Sequence, residues 1–186
     1  MGDDVARMAG TIVLEHRRLL QERLGPQKLA RVLAKLPADV RDEYLGLTSL
    51  GWARVSTAEA VFRAAADELG RDVAELHEEV SRASVERTLR TVWRLLLRFT
   101  SDEALVLRTP RIYARSFQRG ALLPAIVAPG RAEIRVDGWP DMPEFSTRGL
   151  RIGIETVLVL AGRRGVRVDA ERRPDGPCFL ARWDVA

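Results

Sequence analysis

Hydrophobic residues follow two different periods along this chain. As far as about residue 100 they recur every three or four positions, which predicts amphipathic helices. Beyond it, short segments alternate between apolar and polar residues, which predicts β-strands, with one apolar helix between them. Helices and strands segregated in this way favour an α+β fold over an alternating α/β fold.

The first helical segments are bounded by glycine and proline. The pattern predicts a helix over Thr11–Leu24 that stops at Gly25. A second helix should begin at Pro26, because proline costs least at the first helical position. Pro37 breaks that helix, and Asp39–Leu45 forms a third, short helix or a turn.

Side-chain caps mark the next two helices. Ser56 followed by Glu59 predicts a capping box, and the helix that it opens should stop at Gly70. Asp72 with Glu75 offers a second cap for the helix that follows. The stretch over 47–55 has no clear period and is expected to be irregular.

Val85–Phe99 is the clearest amphipathic helix of the sequence. One of its faces carries a stripe of arginines, namely Arg87, Arg90, Arg94 and Arg98. These side chains could bind phosphates of a nucleotide or nucleic acid. The favoured alternative is a solvated face whose arginine stems cover apolar surface.

The chain beyond residue 110 is expected to be rich in strands. Arg111–Phe117 is a possible strand, and Leu123–Gly130 is expected to be a loop. Three further strands are predicted at Gly130–Asp137, Val166–Glu171 and Cys178–Trp183, with a helix over Ser146–Ala161. The last hairpin and its helix should form the core that the earlier helices cover. Since no linker interrupts the chain, we expect one domain over 1–186, helical to about 100 and strand-rich from about 101.

Composition limits the classes of function. The chain has 186 residues, 46% hydrophobic and 30% charged, as in a soluble globular domain. Only Lys28 and Lys35 are lysines, and a net charge of +4 makes a nucleic-acid partner unlikely. The single cysteine excludes an internal disulfide, and two histidines are too few for a Cys/His zinc site. With no signal peptide and no membrane-spanning segment in the pattern, we expect a cytoplasmic protein.

Candidate chemical groups are few. His16 and His77 lie among charged neighbours, so both are expected at the surface. Cys178 is interpreted as a small buried residue, with a reactive thiol as the alternative because arginines are near it in sequence. Trp139 lies in a loop and is the tryptophan most expected to be exposed. With Trp93, Tyr113 and Cys178 it makes a weak set of ligand-binding or partner-binding candidates.

Several short segments carry a resemblance to a bacterial family of unknown function that is expanded in myxobacteria. They are Met8–Ile12, Glu22–Leu29, Val32–Pro37, Gly51-Trp52, Gly165–Val168, Gly176–Phe179 and Trp183. The layout is similar in turn to haem-NO-binding domains, 4-vinyl-reductase domains and TRAPP-type trafficking subunits. This resemblance implies N-terminal helices packed on a C-terminal antiparallel sheet, with one helix inserted between strands. Some members hold an internal pocket, and others present a bare interaction surface.

Two departures from that resemblance bear on cofactors. Haem-binding relatives need a proximal histidine in the second half, and no histidine follows His77. The stretch Tyr113-Ala114-Arg115-Ser116-Phe117 only loosely resembles their Tyr-x-Ser-x-Arg haem-propionate motif. A cysteine-based site would need a second cysteine near Arg172, where none occurs. We therefore expect no cofactor and disfavour a haem sensor.

The sequence favours a non-enzymatic signalling or regulatory module. It would bind a partner protein, associate with itself as a dimer, or hold a small apolar ligand between helices and sheet. The alternative is a small enzyme or nucleotide binder that uses arginines as a phosphate clamp. That alternative requires several arginines to converge on one cleft, chosen from Arg87, Arg90, Arg94, Arg98, Arg111, Arg115 and Arg119.

Overall fold

The computed structural model describes residues 5–89 and 100–185. Its backbone contacts divide the chain into two compact units. The first unit comprises Met1–Ser84 with Ser116–Gln118, and the second comprises Val85–Arg115 with Arg119–Ala186. Helices of the first part and an antiparallel sheet of the last part confirm the α+β class.

The first part of the chain is mainly helical. Its elements are β1 Arg7–Ala9, α1 Gly10–Ala34, α2 Ala38–Gly46, β2 Trp52–Arg54, α3 Val55–Leu69 and α4 Val73–Thr88. Fully buried side chains of α1, α3 and α4 build its core, among them Leu20, Val32, Phe62, Ala65, Leu76 and Val80. None of the described helices has the length and apolar character that crossing a bilayer requires.

Most of the predicted helix boundaries in this part are confirmed. Gly25 takes a left-handed φ of 72° and kinks α1, and Pro26 follows it. Gly70 ends α3 in the left-handed region, and the Glu75 N–H donates to the Asp72 carboxylate at 3.0 Å. The capping box at Ser56 is wrong, because α3 already begins at Val55 and Ser56 lies within its first turn.

The two short strands β1 and β2 were not predicted. They pair antiparallel, with Met8 opposite Ala53. Gly10 follows β1 where the chain passes the 48–51 turn, and its N–H donates to the Gly51 carbonyl at 2.8 Å. A side chain at Gly10 would place its Cβ 2.0 Å from the Thr48 carbonyl oxygen, so only glycine fits this passage.

The later part of the chain forms a four-stranded antiparallel sheet with two described helices. The elements are α5 Asp102–Ser116, β3 Ala121–Ala128, β4 Arg131–Asp137, α6 Glu144–Leu160, β5 Arg167–Arg173 and β6 Gly176–Arg182. The strand order is β3-β4-β6-β5, so the connection through α6 carries the chain past the position of β6. The predicted order of strand, helix, strand, turn and strand is confirmed.

Two predictions between residues 110 and 130 are wrong. Arg111–Phe117 was expected to be a strand, but α5 runs through Pro110 to Ser116. Leu123–Gly130 was expected to be a loop, yet Ala121–Ala128 is strand β3. Proline suits β3 because this strand lies at the edge of the sheet, where a missing N–H costs least.

The two faces of the sheet differ in character. The inner face is apolar and buried, and α6 packs on β5 and β6. Its strand residues include Ala132, Ile134, Val136, Val168, Phe179 and Ala181. On β4 and β5 the outer face carries charged residues, which alternate with the inner ones along each strand.

One carboxylate ties the end of this sheet to the start of α5. The Asp102 carboxylate accepts hydrogen bonds from Arg163 Nε at 2.8 Å and from Trp183 Nε1 at 3.1 Å. Arg163 also donates to the carbonyl oxygens of Ala161 and Thr100, each at 2.7 Å. The network is half-buried and holds Trp183, the residue that follows β6, at the start of α5.

Candidate functional site

Both histidines lie in the core of the first unit, against a shared phenylalanine. His16 on α1 is 5% exposed and His77 on α4 is 1% exposed. Their rings contact Phe62 of α3 edge-on, with centroids 5.4 and 5.0 Å away, and lie 6.4 Å from each other. The expectation that both histidines lie at the surface is therefore wrong.

The position of His16 follows from helix geometry. Val13, His16 and Leu20 are spaced by three and four residues, so they share one face of α1. That face packs on α3, and the charged residues Glu15 and Arg17 flank it. The helical spacing, rather than the charge of the immediate neighbours, was the signal that could have placed His16 in the core.

Burial makes His16 a neutral core residue. Loss of solvation lowers the pKa of His16 to about 4, so its imidazole is uncharged near neutral pH. Its Nδ1 atom is buried and has no hydrogen-bond partner among residues 5–89 and 100–185. A buried polar atom of this kind lowers the free energy of unfolding.

Tyr44 lies on the other side of His16 and is held by a cation. The Arg17 guanidinium donates to the Tyr44 carbonyl oxygen and lies 4.5 Å from the centre of its ring. Burial raises the pKa of Tyr44 to about 12, so its hydroxyl stays protonated. That hydroxyl is buried, and the nearby Arg17 guanidinium partly offsets the rise in its pKa.

The space that His16 and Tyr44 line is closed. Its other walls are Val13, Leu20, Ala58, Val61 and Phe62, and the volume open to a water molecule is about 0 Å³. The His16 imidazole can take up a proton, but the space beside it has no room for a ligand while the helices stay packed. It is a polar core and not a preformed binding site.

Trp139 does not form an exposed contact surface. It is 1% exposed, because its loop folds back and its N–H donates to the Asp175 carbonyl at 3.0 Å. The Arg119 guanidinium lies 5.9 Å from the centre of the Trp139 ring and pairs with Asp141 at 2.9 Å. The expectation of exposure is wrong, and the loop context of Trp139 gave no sign of this fold-back.

Tyr113 and Cys178 are both buried. The Tyr113 hydroxyl donates to the Arg119 carbonyl at 2.7 Å, and burial raises its pKa. Cys178 is 0% exposed, as predicted for a small buried residue. Burial raises the pKa of the Cys178 thiol, and the nearby Glu133 carboxylate raises it further, so the thiol is protonated rather than activated.

The arginines of the proposed phosphate clamp are only partly described. Trp93, Arg90, Arg94 and Arg98 lie outside the described residues. Arg87 is half-buried near the end of α4, and Arg111 and Arg115 are exposed on α5. Arg119 is bound to Asp141, as above, so convergence of these side chains on one cleft stays a prediction.

Comparison with solved structures identifies the fold. The Fe(II) unliganded H-NOX protein of K. algicida has a TM-score of 0.69 at 10% identity, over 96% of this chain and 98% of that one. An oxygen-binding H-NOX domain related to soluble guanylate cyclases has a TM-score of 0.65 at 15% identity, over 95% and 94%. The chain has an H-NOX-like fold. A mutant of T. tengcongensis H-NOX has a similar fold, with a TM-score of 0.63 at 14% identity over 95% of this chain and 98% of that one.

Comparisons of sequence do not assign the chain to a family. No family model and no curated protein matches the chain. The haem-NO-binding layout expected from the resemblance is thus confirmed at the level of the fold, whereas the resemblance to a bacterial family of unknown function gains no support.

The residues present do not suit a histidine-ligated haem in the second half of this H-NOX-like fold. No histidine follows His77 anywhere in the sequence. Tyrosine and cysteine also serve as haem ligands, but Tyr113 donates to a carbonyl and Cys178 is buried and protonated. In the stretch that loosely resembles the propionate motif, Tyr113 faces inward while Arg115 is exposed on the same helix.

Proposed function

We propose that this chain is a haem-independent signalling module that keeps the H-NOX-like fold and acts by binding a partner protein. The observation that carries the proposal is the pairing of that fold with a second half that lacks histidine and has its tyrosine and cysteine buried. A scaffold that binds no haem can still transmit a signal through its surfaces.

The packing of the first unit favours a protein partner over a small apolar ligand. A ligand pocket of drug-like size measures about 300–1,000 Å³. The space around His16 and Tyr44 is closed to water, so a ligand there would have to separate α1 from α3. Partner binding requires no such opening.

Haem titration of the purified chain tests the first half of the proposal. Hemin is added in steps, and the visible spectrum is recorded before and after gel filtration, with T. tengcongensis H-NOX as the positive control. We expect a broad spectrum without a sharp Soret band and complete loss of hemin on the column. A stoichiometric, retained Soret band would overturn haem independence.

Partner capture tests the second half. The tagged chain is expressed in the cells that normally make it, and bound proteins are quantified with and without an excess of untagged chain. We expect at least one protein that is displaced by the competitor, or self-association in a sedimentation experiment. Recovery of no protein, together with measurable binding of ATP or GTP to the chain, would instead favour the phosphate-clamp alternative.

A further inference from the structure

Three arginines stand in one row across the outer face of the sheet. Arg131 on β4 lies directly opposite Arg182 on β6, and Arg182 lies directly opposite Arg167 on β5. Directly opposed residues of antiparallel strands point to the same face. Their neighbours Ala132, Ala181 and Val168 are buried, so this row of Arg131, Arg182 and Arg167, the arginine row, faces outward.

The arginine row is neutralised only at its central member, Arg182. All three side chains are exposed, and Arg182 pairs with Asp169, which lies two residues beyond Arg167 on β5. Arg131 and Arg167 form no ion pair with any residue of the described ranges. Like charges placed directly opposite each other destabilise a sheet, so the row has no structural advantage that would explain it.

The surroundings of the row fit a protein better than a nucleic acid. At the same end of the sheet Val127 is 60% exposed and Val185 is 64% exposed. Sheets that bind single-stranded nucleic acid offer aromatic rings on which bases stack. The outer face offers alanine, leucine, cysteine and charged residues on these four strands, and no aromatic residue.

The spacing of the row indicates the shape of the partner. Neighbouring strands lie about 4.8 Å apart, so the three arginine stems span about 10 Å. The Cβ atoms of residues three or four apart on a helix are separated by about 5–6 Å. Same-face residues of an extended strand are about 6.6 Å apart. A helix therefore matches the row more closely, and planar guanidinium groups bind carboxylates through two parallel hydrogen bonds.

From this geometry we infer that the arginine row is the docking site for an acidic helical segment of a partner protein, with carboxylates at positions i, i+4 and i+7 and apolar residues beside them. The inference rests on the proposed partner binding and specifies its surface. The carboxylates meet the three guanidinium groups, and the apolar residues cover Val127 and Val185.

A designed peptide tests the site on the full chain. The probe is a fluorescein-labelled helical peptide with glutamates at i, i+4 and i+7 and adjacent leucines, and the comparison peptide has the same composition in scrambled order. We expect fluorescence anisotropy to show at least about tenfold tighter binding of the ordered peptide. The variant with Arg131→Gln, Arg167→Gln and Arg182→Gln should lose at least about tenfold in affinity.

The matched control removes three exposed arginines of α5, through Arg108→Gln, Arg111→Gln and Arg115→Gln, and should bind the ordered peptide as the wild type does. Equal binding of both peptides, or equal loss in both triple variants, would show that only net charge matters and would overturn the site. Tighter binding of a poly-dT oligonucleotide or of inorganic phosphate than of the ordered peptide would overturn the acidic protein partner.

Partner capture separates this inference from the proposed function. If the arginine-row variant loses the captured protein and the α5 variant retains it, the docking site is supported. A partner that both variants retain overturns the docking site and leaves the proposed function standing. If the wild-type chain captures no protein and does not self-associate, the proposed function itself fails.

Discussion

The two units of this chain treat their ionisable groups in opposite ways. The first unit buries His16, His77 and Tyr44 in a packed core, where burial keeps His16 neutral. The second unit exposes Arg131 and Arg167 on a sheet and leaves them without described ion pairs. Packing of the buried rings stabilises the fold despite the cost of the buried His16 Nδ1 atom, whereas opposed exposed charges weaken it. Residues of the first kind therefore bear on stability, whereas for those of the second kind we infer contact with a partner.

The strongest test of this comparison is Phe62→Ala. The Phe62 ring is 1% exposed and lies between the two histidines. Its removal should leave a cavity beside two polar rings and lower the free energy of unfolding by about 3–5 kcal/mol. Urea denaturation followed by circular dichroism measures the change.

Leu50→Ala is the matched control for Phe62→Ala. Leu50 is 92% exposed in the same unit, so its truncation should change the free energy of unfolding by less than about 0.5 kcal/mol. Similar effects of the two substitutions would show that the histidine cluster is not a packed core.

The second test concerns pH. The pKa of His16 is about 4 in the folded protein and about 6.5 in the unfolded chain. Between these values the unfolded state binds more protons, so the stability contributed by His16 is complete above pH 6.5 and falls as the pH drops toward 4. We expect a loss of about 2 kcal/mol between pH 8 and pH 5, measured by urea denaturation at each pH.

His16→Leu isolates the contribution of His16 to this pH dependence. Leucine keeps the apolar packing and removes the titrating group, so most of the pH dependence between 8 and 5 should vanish. The carboxylates with lowered pKa values, Glu43, Glu68 and Glu79, affect stability only at lower pH. An unchanged slope in the variant would show that His16 does not titrate as its burial requires.

Sequence patterns predicted what local geometry determines. The break at Gly25, the stop at Gly70 and the helix over Ser146–Ala161 depend on residues close in sequence, and the structure has a kink at Gly25, a helix end at Gly70 and helix α6. Strands β1 and β2 exist only because Arg7–Ala9 and Trp52–Arg54 pair across the chain. Three residues are too few to show alternation, so no local pattern could predict these strands.

The candidate sites were harder to predict than the fold. Charged neighbours suggested a surface position for His16, although the spacing to Val13 and Leu20 places it in the core. Trp139 was expected to be exposed because it lies in a predicted loop, but that loop folds back through a backbone hydrogen bond to Asp175. The arginine row depends on register between three strands, which appears only when the sheet is assembled.

The third test breaks a half-buried charge network that ties the start of α5 to Trp183, the residue after β6. Asp102→Asn removes the charge that accepts from Arg163 and Trp183. We expect a loss of about 1–2 kcal/mol in the free energy of unfolding, because the 15%-exposed Arg163 side chain keeps its charge without a carboxylate. Thermal and urea denaturation measure the change.

Glu144→Gln is the control, since Glu144 pairs with Arg148 on the exposed side of α6 with its side chain 64% exposed. Glu144→Gln should lower the free energy of unfolding by less than about 0.5 kcal/mol. If Asp102→Asn lowered the free energy of unfolding by as little as Glu144→Gln does, packing alone would hold the two ends of the network together.

The smallest expected effect bears most directly on why the arginine row exists. Arg131→Glu places a carboxylate opposite Arg182 and should raise the free energy of unfolding by about 0.2–1 kcal/mol. The gain should shrink as salt screens the pair, so urea denaturation at low and high ionic strength measures it, with Arg108→Glu on exposed α5 as the control for net charge. A loss of stability at low salt would show that the row supports the fold. A gain in stability accompanied by weaker peptide binding would mean that the row is retained for contact, as inferred, at the expense of the sheet that carries it.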